Sequence, residues 1–417
     1  MVQKIEEQLL EIVVRRLVMI EIYEPEEYRK KIRKYEASPS IDQLPIIWKK
    51  AEGHYVWDEC DRKYIDFTSS IFVTNSGHRQ VANAIIRQAT QLLHAYTYPT
   101  EEKYKLLEYM HTYFPKFCEK FFLLSTGAEA TEAACRLMKI HGLKINSKKR
   151  GLISFKGAFH GKTMMTETLS GRREPWMQPF TDIYHLPFVF DKEHSVELPN
   201  AEKIAGIIIE TYRGWDGHFQ DSSYIQMIVR WAKENQIVVC FDEIQSGLYR
   251  TGEQFGYMHY NVEPDLICIG KGLGGGLPIS CVAGRSSIMD IDEPLTSTHS
   301  GNPLCCAAAL ACLKYLEEEL DKKELADKGF LIRNTLDRFV REYSYVIKEV
   351  QHKGLMGAMI VEDKDIAHRI CIGCLRKGLI VIKTDKEVIK IGPPLSINFE
   401  DLLRGLDIIE EVIGEML

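Results

Sequence analysis

The sequence predicts an α/β protein: a mostly parallel sheet covered on both faces by helices, followed by a smaller mixed α+β unit. Two observations carry this. First, the apolar runs GLISF (151–155), IAGIIIE (204–210), IVVCFDE (237–243) and DLICIG (265–270) lack polar alternation, as strands buried on both faces do. Second, helical patterns lie between the runs, and alternating strands and helices imply parallel order.

Taken in order, MVQKIEEQLLEIVVRRLVMIEIY reads as an amphipathic helix. Its charges at Glu6, Glu7, Glu11, Arg15 and Arg16 exclude a membrane span or a signal peptide, so a docking surface on the body or on a partner subunit is expected. Residues 46–67 read as short antiparallel strands with a turn near Cys60 to Arg62. ANAIIRQATQLLHA (82–95) reads as a helix, FFLL (121–124) as a strand and GAEATEAACRLMKIHG as the start of a helix. SYIQMIVRWAKENQ reads as a helix, and LPISCVAGR as another strand. PLCCAAALACLKYLEEEL is helical. Strands near 355–361 and 388–391 and a last helix from about Phe399 close the chain. The expected division is an N-terminal helix-and-strand segment (1–66) joining the small domain, a large domain (67–303) and a small C-terminal domain (304–417).

A chain of 417 residues is long enough for two domains. A net charge of −6 gives no reason to expect nucleic acid or an anionic membrane as partner. The eleven cysteines are scattered, several inside apolar runs, where a free thiol packs as a small hydrophobe; this suits a reducing cytoplasm. Cys371 and Cys374 form one CxxC with no second ligand pair near it, so no metal is expected.

The stretch DLICIGKGLGGGLP (265–278) places one lysine among glycines. A phosphate loop would need glycine at Asp265 and Ser or Thr at Gly272, so that reading fails. Gly270, Gly272 and Gly275 fit a dinucleotide fingerprint, but a strand follows where a helix is required. Two readings remain: a solvated loop lysine, or a desolvated lysine whose amine attacks carbonyls.

Ligands bind at the carboxyl ends of strands in open parallel sheets, and several polar groups fall there. Ser125, Thr126, Gly127 and Ala128 open a helix, either as a plain N-cap or as an anion cradle. Asp242 and Glu210 end buried strands, where a carboxylate needs a partner. Gln245 follows Asp242, Phe159 and His160 follow the 151–155 strand, and Lys271 follows the 265–270 strand. A ligand with a phosphate, a basic ring nitrogen, a flat π-face and an aldehyde matches this set. Pyridoxal 5′-phosphate is that ligand.

From about Pro45 to its end the chain resembles the class III pyridoxal-phosphate aminotransferases, the group of ornithine, acetylornithine and 4-aminobutyrate aminotransferases. The likeness rests on GHYVWDECDRKYIDF, NSGH (75–78), STGAEATEAA, FHGKT, FDEIQSGLYRTG, PDLICIGKGLGGG, THSGNPLCCAAA and IGPPL, in the family's order. It implies a fold-type I transferase with Lys271 as the Schiff-base lysine and Asp242 paired to the ring nitrogen. Gln245 would meet the ring hydroxyl and Phe159 would stack on the ring, with His160 and Glu210 also at the cofactor. Thr126 and the Gly127 and Ala128 amides would hold the phosphate. Thr298 would reach the phosphate of a neighbouring subunit, which implies a homodimer with shared sites. Phe72, Lys162, Trp215 and Lys390 fall on the substrate side.

Three of these positions depart from the family pattern. Lys162 and Lys390 stand where many members have arginine, and Trp215 stands where the ornithine and 4-aminobutyrate types have a glutamate that pairs with the second arginine. Lysine is a point charge where arginine is a fork, so ordinary glutamate recognition does not carry over. Both lysines are equally open to being plain surface residues. If they face the site, Lys390 without its expected carboxylate, Lys162 and an apolar Trp215 wall imply a carboxylate-bearing small-molecule donor with an apolar or ring-like portion. An aminotransferase is the main expectation. A racemase, epimerase or aminomutase on the same scaffold is the alternative, and the intact lysine, aspartate and glutamine argue against a non-catalytic relative.

Overall fold

The structure, a computed structural model, describes residues 30–37, 44–69, 77–172, 182–189, 196–384 and 386–416. The expected N-terminal helix and Phe72 lie outside these residues.

Seven strands form the central sheet, in the order Lys120–Leu124, Ser280–Gly284, Leu266–Ile269, Val238–Asp242, Ile204–Glu210, Gly151–Phe155 and Ile183–Leu186. The last five are mutually parallel, while Ser280–Gly284 runs antiparallel to both its neighbours. The apolar runs are strands because both faces are covered. On one face Ala130, Ala134, Leu137 and Met138 of the helix Gly127–Ile145 pack on Ala205, Ile208 and Cys240. On the other, Ile225, Ile228 and Val229 of the helix Ser222–Glu234 join Ile207, Ile209, Val239 and Phe241.

Register places the chemistry. Glu210 lies opposite Asp242, and Asp242 opposite Cys268. In parallel strands paired residues share a face, so the two carboxylates stand side by side at the carboxyl edge, with Lys271 just beyond.

Two smaller sheets flank this one. Trp48–Glu52, Tyr55–Asp58 and Lys63–Asp66 form an antiparallel meander, joined in parallel by Leu379–Ile380. Ile347–Lys353, Met356–Val361, Val388–Ile391 and Ile382–Lys383 form the third sheet, accompanied by the helices Lys322–Glu342, Lys364–Arg376 and Phe399–Gly414.

Several elements differ from the sequence reading, which names neither the helices Glu101–Tyr113, Lys322–Glu342 and Lys364–Arg376 nor the strands Ile347–Lys353, Leu379–Ile380 and Ile382–Lys383. The helix expected over 82–95 is Arg79–Ala89. Thr90 ends it, and the Gln88 side chain donates to Leu92 O at 3.0 Å, which holds the chain in a turn. The edge strand Ile183–Leu186 is not predicted, because its residues are mostly half-buried and its apolar run is short.

Candidate active site

Lys271, Asp242, Glu210, Phe159, His160, Gln245, Gly127 and Ala128 line one cavity at the carboxyl edge of the sheet, together with Gly161, Tyr212 and Ile244. Eight of these come from the sequence reading; three do not. Gly161 was legible in FHGKT: its φ is +131° and a Cβ there would sit 2.6 Å from Ala128 Cβ, so only glycine lets this loop meet the start of the helix Gly127–Ile145.

Asp242 is buried. Its Oδ2 lies 2.7 Å from His160 Nδ1 and its Oδ1 accepts from Ile244 N at 3.1 Å. A carboxylate has about four lone-pair positions, so capacity remains for a ring N–H. Burial lowers the His160 pKa, but the Asp242 hydrogen bond and charge outweigh it and hold the pKa above its ordinary value. His160 Nε2 is buried with no partner among the described residues. His160 O accepts from Thr131 Oγ1 at 2.7 Å, which fixes the His160 backbone to the helix Gly127–Ile145.

That helix presents its N-terminus to the cavity. Thr126 is the N-cap, accepting from Glu129 N at 3.2 Å, and Glu129 Oε2 accepts from Thr126 N at 2.8 Å and Ser125 N at 3.1 Å. The cap therefore satisfies its own donors and leaves the Gly127 and Ala128 amides, which no intrahelical carbonyl reaches, facing the cavity. Cap and cradle coexist.

Glu210 binds two loops at once. Its Oε2 accepts from Phe159 N at 2.7 Å and its Oε1 from Gly214 N at 3.1 Å. Burial pushes its pKa up to about 7; His160 opposes this and Asp242 adds to it. At Gly214 a Cβ would stand 3.2 Å from Gln245 Oε1 and 3.4 Å from Phe159 Cβ, so all three segments converge there.

Lys271 opens a short 3-10 turn, Lys271–Gly274, with φ of +39°, a conformation that strains a residue with a Cβ. Burial pulls its pKa below the ordinary lysine value, against the pull of Asp242 and Glu210. The amine is thereby biased toward its nucleophilic form.

The substrate-side residues scatter around this cavity. Trp215 meets Phe159 edge to face, centroids 5.2 Å apart. Lys162 Nζ lies 4.8 Å from the Trp215 ring and 3.2 Å from Glu167 Oε2, with 58% of its side chain exposed. Lys390 is buried in the strand Val388–Ile391 and donates to Gly214 O. Thr298 is exposed and lies outside the cavity of its own chain.

A buried carboxylate, a poised amine, open amides at a helix N-terminus and an aromatic ring in one cavity fit pyridoxal 5′-phosphate. The class-III aminotransferase family model matches residues 37–413. The chain belongs to this family. Acetylornithine aminotransferase of Caldanaerobacter subterraneus is 33% identical over 387 residues, covering 90% of this chain and 97% of that one. The leucine/methionine racemase of Thermococcus litoralis is 32% identical, covering 92% and 94%. Among solved structures, acetylornithine aminotransferase from Elizabethkingia anophelis aligns with TM-score 0.82 at 25% identity, over 94% of this chain and all of that one. The enzyme is a pyridoxal-phosphate-dependent class-III aminotransferase. Among the described residues no helix is long and apolar enough to cross a membrane.

Lys390 gives a pH signature. Burial and the Lys271 amine pull its pKa from 10.5 down to about 7, against the carboxylates of Glu210 and Asp216. Between those values the unfolded chain binds the extra proton, so this group's contribution to stability rises as pH rises. Lys390→Met in cofactor-free protein is expected to gain most over the parent in urea unfolding at about pH 6, with the advantage shrinking toward pH 10. A constant difference across that range would show that Lys390 keeps its ordinary titration in the fold.

Proposed function

We propose that this aminotransferase holds its cofactor through Lys271 and takes its amino group from a donor that carries a carboxylate and an apolar portion. The convergence of Lys271 and Asp242 in one cavity supports the first part. When bound, pyridoxal phosphate supplies an aldehyde carbon and an electron-accepting ring. Asp242 keeps a proton at the ring nitrogen, with His160 orienting the carboxylate. The Gly127 and Ala128 amides and Thr126 bind the phosphate, Gln245 meets the ring hydroxyl, and Phe159 covers the ring face. Lys271 Nζ would take and return the proton at the donor's Cα, a role that suits an amine whose pKa is lowered. Borohydride reduction of the holoenzyme followed by peptide mass mapping is expected to find the pyridoxyl mass on Lys271; its appearance on another lysine refutes the assignment.

The donor class rests on the wall around Trp215. Lys390 donates there to a neutral carbonyl, and Lys162 approaches the same ring. Cations beside an apolar ring favour a ligand with a negative charge and an apolar body. The likeness to the Thermococcus litoralis racemase supports a second reading, racemase or aminomutase chemistry at the same site. Incubation with one amino compound and no carbonyl acceptor separates the two: an aminotransferase is expected to stop after one equivalent per site, whereas continued turnover establishes the second reading.

Thr298 supports a homodimer, since an exposed hydroxyl beyond its own cavity is suited to completing the phosphate site of a partner. Sedimentation of active enzyme is expected to give a dimer, and a fully active monomer contradicts it.

A further inference from the structure

We infer that Arg172 supplies the fork that grips the donor's carboxylate at the Trp215 wall, an assignment that rests on the acidic-donor reading above. The guanidinium carbon of Arg172 lies 3.8 Å from the centroid of the Trp215 ring, nearer than Lys162 Nζ at 4.8 Å. Stacking occupies the face of a guanidinium and leaves its N–H edge free, which is the geometry for bidentate carboxylate binding. Among the described residues no carboxylate pairs with Arg172. The other two cations differ. Lys162 is exposed and answered by Glu167 at 3.2 Å. Lys390 is buried, donates to Gly214 O, and has its pKa drawn down to about 7 by burial and by Lys271. Of these three cations, Arg172 alone holds a permanent charge with no carboxylate partner among the described residues.

Its backbone is fixed to the cavity. Arg172 N donates to Ser170 Oγ at 3.1 Å, and Ser170 O accepts from Gly157 N at 2.8 Å, in the loop that carries Phe159. Phe159 lines the cofactor cavity, Trp215 packs on Phe159 and Arg172 on Trp215, so Arg172 stands two rings out from the cofactor cavity. The Trp215 Nε1–H is a buried donor with no partner among the described residues, which gives the carboxylate a second donor at the same wall. The sequence offers no motif for Arg172; it follows a helix end in SGRR.

The test uses holoenzyme and a pair of unreactive probes, 4-phenylbutanoate and 4-phenylbutanamide, with dissociation constants from titration calorimetry. The wild type is expected to prefer the carboxylate. Arg172→Ala is expected to weaken carboxylate binding about tenfold to a hundredfold, the loss typical of a charge-assisted pair, and to leave the amide unchanged. Arg172→Lys is expected to recover only part of the preference, and it keeps the test valid if the alanine variant misfolds. If the arginine variants retain the wild-type ratio, Arg172 is not the fork and the acidic-donor reading stands. If the wild type itself does not distinguish the two probes, both fall.

Discussion

The site depends on one buried contact, the hydrogen bond between Asp242 and His160. A carboxylate at the end of a buried strand is costly unless it is hydrogen-bonded. The His160 ring and the Ile244 amide meet that need. The consequences extend outward, because His160 is held in turn through its carbonyl by Thr131. Thr131 belongs to the helix whose first turn offers the Gly127 and Ala128 amides. The Asp242 carboxylate and the Gly127 and Ala128 amides, proposed to meet the ring and the phosphate, are therefore positioned by one connected set of bonds. A displacement of either would be felt at the other, since buried polar networks are stable only when every member is satisfied.

Glu210 does for the loops what His160 does for the strand end. It stands beside Asp242 in register and ties the Phe159 loop to the Gly214 loop. Beyond Gly214 the same loop is knotted by Asp216, which accepts from Arg213 Nε at 2.6 Å and lies 3.2 Å from His218 Nδ1 and 3.5 Å from Lys386 Nζ. Burial works against the Asp216 carboxylate, yet His218 and Arg213 hold its pKa well below the usual range. Lys386 and Lys390 both belong to the chain of the third sheet. Trp215 thus rides on a loop fixed at one end by the central sheet and at the other by the small one.

The cofactor half of this arrangement was legible in the sequence for a physical reason. Buried parallel strands are continuous apolar runs, so their carboxyl ends are visible as the points where a polar residue interrupts the run; Glu210, Asp242 and Lys271 all announce themselves so. The helix start was visible in Ser125 and Thr126 as candidate N-caps after the strand. Spatial partners were not visible. His160 and Asp242 are 82 positions apart, and nothing in either stretch names the other. Lys162 and Lys390 read alike in sequence, yet one is exposed beside Glu167 and the other is buried against Gly214. The overrun of the helix past Ala89 has a similar cause: Leu92 and Leu93 continue an apolar pattern, but both are exposed, and the turn is set by the Gln88 side chain, which pattern alone does not reveal.

This partition also explains how the same chain can stand at 33% identity to an acetylornithine aminotransferase and 32% to a leucine/methionine racemase. The strand ends and helix N-terminus proposed to hold the cofactor are tied to the core, so change there is penalised by buried charge and lost packing. Of the residues proposed to meet the donor, Lys162, Arg172 and Trp215 sit on loops, where substitutions cost little stability. Family likeness therefore fixes the cofactor chemistry and leaves the donor to the loops. Trp215 illustrates the consequence. An acidic residue there would neutralise a neighbouring cation; an indole cannot, and instead attracts cations to its face by about 0.5–2 kcal/mol each. Exchanging one side chain on a loop thus turns a charge-balanced wall into a positive one without disturbing Asp242, Lys271 or the cradle.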